Sequence, residues 1–185
     1  MPYHSVAEIL DSIDATRERL RERLESLNQS QQTFRPTPDA WTVAEIAEHL
    51  SIIEKQMVQL VGMMLKKTEA AGILRADGDS TRIAPVNIDD FVAQSKTQKF
   101  VAPETVRPSG QVSVADSLAH LRETRAALHS LRPRIEQIDG TAAQFKHPFM
   151  GMLNIYQWLL FIGAHEQRHI DQIERLMQQT ASNEQ

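Results

Sequence analysis

Apolar residues recur along most of this chain at the three- and four-residue spacing of amphipathic helices. The longest such stretch, residues 153–178, reads LNIYQWLLFIGAHEQRHIDQIERLMQ and predicts one long helix. At ~100° per residue, Trp158, Ile162, His165, His169, Ile173 and Leu176 fall on a single narrow stripe. Two histidines one turn apart thus interrupt an otherwise apolar face. Three further stretches carry the same spacing. The first opens at Ser5-Val6-Ala7-Glu8, a capping-box pattern with Ser5 as N-cap and Glu8 reaching back. It continues to about Asn28 through Ile9, Ile13, Leu20, Leu24 and Leu27. Its other side, Arg17-Glu18-Arg19 and Arg21-Glu22-Arg23, is laced with opposite charges and reads as a solvated surface or a partner surface.

Pro36 and Pro38 keep residues 31–40 from being helical throughout, with Phe34 and Trp41 as apolar anchors of the turn. Thr42-Val43-Ala44-Glu45 is a second capping box. The helix it opens extends to about Lys67 on Ile46, Leu50, Ile53, Met57, Leu60 and Met64, and Gly72 stops the chain's helical course. His49 lies ~60° from Ile46, at the edge of the stripe, where it can point into a bundle. From there to Gln111 the pattern weakens. Asp77-Gly78 marks a turn, Pro85, Pro103 and Pro108 punctuate the segment, and Asn87 can cap a short helix through Ile88, Phe91 and Val92. Ser113 caps a third long helix with Val114, Leu118, Leu121, Leu128 and Ile135 on its core side and Pro133 near its end. His120 and His129 fall off that stripe and read as surface residues. Residues 139–151, with Lys146-His147-Pro148, read as a loop. Four amphipathic helices with one long crossover between the second and third predict an all-α four-helix bundle, a single domain over residues 1–185.

Composition narrows the functional classes. A chain of 185 residues can bury a full core. Its net charge of −4 is spread among interspersed acids and bases, so no footprint for nucleic acid is expected. The absence of cysteine excludes disulfides, thiolate nucleophiles and cysteine-based zinc sites, and fits a reducing compartment. No basic stretch followed by a long apolar run opens the chain, and no apolar run is long enough to cross a bilayer. A cytoplasmic protein without a membrane partner is the expectation.

His165-Glu166-Gln167-Arg168-His169 has the letters HExxH, in which two histidines bind zinc and the glutamate activates water. That reading lacks a third ligand, because only sixteen residues follow His169 and most of them complete the same helix. A di-iron carboxylate bundle needs two Glu-x-x-His pairs and two further glutamates, and only Glu166/His169 has that form. The third reading takes the missing ligand from the second helix. His49, His165 and His169 would then present three neutral imidazoles to one divalent ion, a donor set suited to Zn²⁺ or Ni²⁺ with a position left for water or substrate. Against it stands a plain packing role, in which the three are buried and hydrogen-bonded; burying three imidazoles without a shared partner is costly.

Trp41-Thr42 through Glu45-Ile46 and His49-Leu50 resembles the second-helix segment of the DinB-like superfamily. The C-terminal signature is similar too: His147-Pro148 through Gly151, Leu153-Asn154, Trp158 and His165-Glu166-x-Arg168-His169-x-x-Gln172. Lys99-Phe100 through Pro108 resembles the loop before the third helix in its bacillithiol-transferase-like branch. This resemblance implies an up-down-down-up four-helix bundle, often a homodimer, with one divalent ion held by three histidines, here His49, His165 and His169. It also implies chemistry with a low-molecular-weight thiol and an electrophilic substrate, as S-transferase or thiol-dependent isomerase. A thiol at an open metal position would ionise near neutral pH. Glu166 is a candidate base. Arg168 and Gln172 flank the ligands and are candidates to orient them or to meet an anionic substrate. Asn154 and His147 are candidates for the mouth of the site or for capping the loop. Phe161 and Leu159, taken as exposed, give the homodimer some support. A non-catalytic dimer with a structural ion and a metal-dependent hydrolase remain open alternatives.

Overall fold

The structure is a computed structural model that describes residues 2–75, 82–89, 92–93 and 101–183, with side chains to residue 180. Turn Asp77-Gly78, Phe91 and the Lys99-Phe100 pair lie outside the described residues.

Four long helices form where the apolar spacing predicts them: α1 Val6–Glu25, α3 Val43–Ala70, α4 Val114–Ile135 and α5 Ile155–Asn183, with a short α2 Gln29–Thr33 between the first two. Local capping sets their starts. Ser5 Oγ accepts from the Glu8 backbone N–H at 3.1 Å, but the Glu8 carboxylate bonds the His4 N–H rather than that of Ser5. Thr42 and Glu45 form the reciprocal pair at the head of α3. Ser113 Oγ accepts from Asp116 N–H at the head of α4. Gly72, at φ 68°, follows α3 in the left-handed conformation that suits a helix end.

Two small antiparallel ribbons were not legible in the spacing. β1 Tyr3–Ser5 pairs with β2 Arg82–Val86, and β3 Gln144–His147 pairs with β4 Gly151–Asn154. The second ribbon corrects the loop expected at residues 139–151. Gly151 takes φ 76° at its turn, a conformation glycine adopts without penalty. The ribbon also moves the start of the last helix from Leu153 to Ile155.

Contact registers give the helix directions. Ile13 lies under Gly163, Arg19 bonds Gln167, and Arg23 bonds Glu174, so α1 and α5 run parallel. Arg125 meets Glu54 and Arg134 meets Glu69, so α3 and α4 also run parallel. The start of α3 shares an apolar cluster with the end of α1, so the two pairs oppose each other. This is an up-down-down-up arrangement. The chain leaves the far end of α3, where Leu74 bridges to Ile138, and reaches the opposite end by Val106, beside His49.

The core is in two layers. One holds Ile9, Ile13, Met57, Leu65, Leu128, Tyr156 and Ile162; the other holds Leu20, Leu24, Ile46, Leu50, Leu121 and Ile173. Gly163 lets α1 approach α5 closely, since a Cβ there would lie 2.8 Å from Ile13 Cγ2. No helix among the described residues is long and apolar enough to cross a membrane.

Candidate metal centre

His49 comes from the second turn of α3, and His165 and His169 from successive turns of α5. Their candidate ligand nitrogens all lie within 4.8 Å of one another. The Nε2 atoms of His165 and His169 are 3.2 Å apart. Metal–nitrogen bonds of about 2.0–2.1 Å put neighbouring imidazole nitrogens roughly 3 Å apart around one ion, so this spacing fits. No carboxylate belongs to the group among the described residues.

Two of the rings are held in a defined tautomer. His49 Nδ1–H donates to the Val106 carbonyl at 2.7 Å, and His169 Nδ1–H donates to Gln172 Oε1 at 2.9 Å. Each bond leaves Nε2 as a lone-pair donor toward the centre, the arrangement that orients metal-binding histidines. Gln172 therefore holds the ring of His169, a candidate ligand. Burial holds all three imidazoles neutral. His49 is pushed below its ordinary range by burial; His165 is well below it through burial and its neighbours His169 and His49; His169 falls to about 3 from burial and from His49. Neutral imidazole is the form that binds metal.

The segment over His49 is tied down beside it. The Glu48 carboxylate, 3% exposed, accepts from Ser109 N–H at 2.8 Å, Ser109 Oγ at 2.7 Å and Gly110 N–H at 2.9 Å. Removing a buried anion that satisfies three donors orphans them at about 1–3 kcal/mol each. Glu48→Ala is expected to lower stability by at least about 2 kcal/mol and to weaken metal binding, because the Val106 carbonyl that fixes His49 shifts with the segment. Urea unfolding and metal titration of the same variant check both.

Aromatic rings pack around the three imidazoles. Trp41 lies 4.8 Å from His49 between centroids, Phe161 lies 5.8 Å from His165, and His147 packs on Phe161 at 4.6 Å. His147 Nδ1 accepts the Phe149 N–H, which makes it a turn-closing residue as well as part of this wall. Asn154 is the N-cap of α5: its Oδ1 accepts from Gln157 N–H while Gln157 Oε1 accepts from Asn154 N–H. That capping pair accounts for its side chain without a substrate.

Glu166 is not turned to the histidines. Arg17 Nε donates to its Oε1 at 2.7 Å, and Arg125 Nη2 reaches both of its oxygens at 3.3 and 3.4 Å. Burial, opposed by the charge of Arg17, pushes its carboxyl up to about 7. Arg168 lines a cleft of about 650 Å³ between α1 and α5, with Tyr3, Thr16, Arg19, Gln167 and Arg175; none of the three histidines lines it. His120 is exposed, and His129 Nε2 pairs with Asp14 at 2.8 Å. Leu159 is fully buried, and Phe161 is half-buried against His147, so neither supports a dimer surface.

Arg17 corrects the expectation of a uniformly solvated face on α1. Its guanidinium bridges Glu54 and Glu166 inside the bundle, and Arg125 bridges the same two carboxylates. The signal was available: each of the four stands four residues after one core position and three or four before the next inward one.

Known proteins agree with this architecture. The chain is 23% identical over 154 residues to the uncharacterised protein YuaE of Bacillus subtilis (strain 168), covering 83% of this chain and 87% of that one. Its fold is similar to the crystal structure of TT2238, a four-helix bundle protein, at TM-score 0.59 and 21% identity, with 91% and 96% of the two chains covered. It is also similar, at TM-score 0.58 and 16% identity, to YfiT of Bacillus subtilis, described as a probable metal-dependent hydrolase with an unusual four-helix bundle topology; 95% and 87% of the chains are covered. The sequence pattern of the DinB superfamily matches residues 12–173, in keeping with the four long helices and the three converging histidines, and the chain belongs to that superfamily.

Proposed function

We propose that the protein binds one divalent ion through His49, His165 and His169 and uses it as a metal-dependent S-transferase acting with a low-molecular-weight thiol. The observation that carries the metal is the convergence of three neutral imidazoles, two with Nδ1 committed to fixed acceptors and Nε2 turned to the common centre. Zn²⁺ and Ni²⁺ both suit nitrogen-only donors. Three protein ligands leave at least one position for an exogenous group. A divalent ion there favours the ionised form of a thiol or water bound beside it.

The protein's own residues around the histidines support this reading. His49 is oriented by Val106, His169 by Gln172, and Trp41 and Phe161 pack against the imidazoles of His49 and His165 in tilted contacts. Glu166 is engaged by Arg17 and Arg125, so the site offers no free carboxylate base among the described residues. A thiol brings its own nucleophile and loses its proton on binding, which suits a site without such a base. Hydrolysis is the second reading, favoured by the likeness to YfiT and its description.

Cobalt substitution separates the two. Thiolate ligation to Co²⁺ gives intense near-ultraviolet charge-transfer absorption. The expected result is a new band on adding small thiols, strengthening with pH until the thiol is ionised. An unchanged spectrum across several thiols would sink the transferase reading and leave the hydrolase. The reading also includes a homodimer, on family resemblance, and a cytoplasmic location, on the cysteine-free composition; sedimentation at micromolar concentration showing a monomer refutes the assembly.

A further inference from the structure

The apolar core is split, and a ring of charges lies at the split. Arg17 of α1, Glu54 of α3, Arg125 of α4 and Glu166 of α5 each come from a different long helix. Both arginines contact both glutamates, so the four close into one cycle. Glu54 and Glu166 are each 2% exposed and Arg125 is 7% exposed. On every helix the member falls between the two apolar layers: between Ile13 and Leu20, Leu50 and Met57, Leu121 and Leu128, Ile162 and Ile170. Arg17 further donates to the Leu121 carbonyl at 2.9 Å, and Arg125 to Asp14 at 2.7 Å.

This placement bears on the candidate metal centre. Glu166 directly follows His165, and Glu54 comes five residues after His49, so the ring sits immediately beside the centre on the two helices that supply it. Apolar packing is non-directional and tolerates small helix rotations and slides. A guanidinium fork bridging two carboxylates does not, because its donors are planar and fixed in angle. Three ligands on two helices need such a fix, since rotating α3 carries His49 away from His165 and His169 while leaving much of the apolar contact intact. We propose that the Arg17–Glu54–Arg125–Glu166 ring is a positioning device, setting the rotation of α3 against α5 so that His49 faces the other two histidines. The inference rests on the metal reading above for its purpose and on the ring's geometry for its means.

The test replaces the ring as a whole and as a fork. Buried ionic clusters exchanged for apolar residues of similar size commonly leave a protein folded. The combined variant Arg17→Met/Glu54→Leu/Arg125→Met/Glu166→Leu is expected to keep its helical content and cooperative melting. Its Zn²⁺ and Ni²⁺ affinities should fall about 10–100-fold, the range seen when groups that orient metal ligands are removed. Wild-type affinity in that folded variant overturns the proposal. If the combined variant does not fold, Arg125→Lys decides: it keeps the charge and loses the fork, and about a 10-fold loss of affinity is expected, while unchanged affinity overturns the proposal. Leu128→Ala in the layer away from the histidines controls for lost stability, and an equal loss of affinity there also overturns it.

A readout without metal separates this from failure of the metal reading. In wild-type apoprotein the His49 Nδ1–H bonded to Val106 should give a protected proton resonance. In Arg125→Lys it should exchange about 10-fold faster, as expected for an orienting contact. Unchanged exchange overturns the ring's role even if the wild-type protein binds no metal.

Discussion

His49→Ala, His165→Ala and His169→Ala are each expected to lower divalent-metal affinity by more than about 100-fold, beyond the loss typical of groups behind the ligands. The three should be equivalent despite their different positions, because each supplies one of three nitrogens within 4.8 Å of the others. Calorimetric titration of each variant with Zn²⁺ and Ni²⁺ measures this. His49→Ala retaining full metal content would remove α3 from the site. A ligand that binds only the folded state stabilises it, by about 2.7 kcal/mol at 100 times its dissociation constant. Metal should therefore raise the melting temperature of the wild type and leave that of the three variants nearly unmoved. His120→Ala, whose ring is exposed and outside the cluster, should behave as wild type.

The pH dependence follows with a definite sign. His49, His165 and His169 all lie below the ordinary range in the folded chain, and His169 near 3. Unfolded histidines take up protons near pH 6.5. As pH falls through that value the unfolded state gains protons that the folded state refuses, so stability present above about 6.5 declines on acidification. The metal-free alanine variants should lose less stability between pH 7 and pH 5 than the wild-type apoprotein.

Arg125→Met carries the second large effect. It removes one of the two guanidiniums that balance Glu54 and Glu166, both almost fully buried. Opening a buried ion cluster from one side costs about 3–5 kcal/mol, because a charge is left without its partner. For a domain of this size each kcal/mol moves the melting temperature by roughly 2–4 °C, so a drop of about 6–20 °C is expected. Glu54→Gln in the Arg125→Met background should recover part of the loss, since the two residues are in contact and their effects do not add. His129→Ala breaks only a hydrogen bond to Asp14 at the rim, where both partners are well exposed, and should cost under about 1 kcal/mol. An Arg125→Met variant that melts like His129→Ala would mean the ring bears little on stability.

The four long helices were legible in the sequence because helix formation here is local. Thr42-x-x-Glu45 and Ser113 set starts by bonds spanning three residues, and Gly72 allows the turn beyond α3. The pairing of His165 with His169 was legible for the same reason, since one turn of one helix brings them together. The spacing of Ile13, Leu20 and the other apolar positions fixed which side of each helix is buried, but it treated the intervening polar residues as surface. What lies opposite Arg17 is set by Glu54, 37 residues away, and by Glu166, 149 away. No periodicity within α1 contains that. The ribbon of residues 144–154 was missed because its inward side chains find their partners on α5: His147 packs on Trp158 and Phe161. Glu166 shows the division most sharply. Its place beside His165 in the chain suggested a base at the metal, yet one residue along a helix is ~100° around it. That rotation aims its carboxylate at two arginines from other helices, so the sequence brought out the candidate ligands while only the packing of four helices could assign their neighbour.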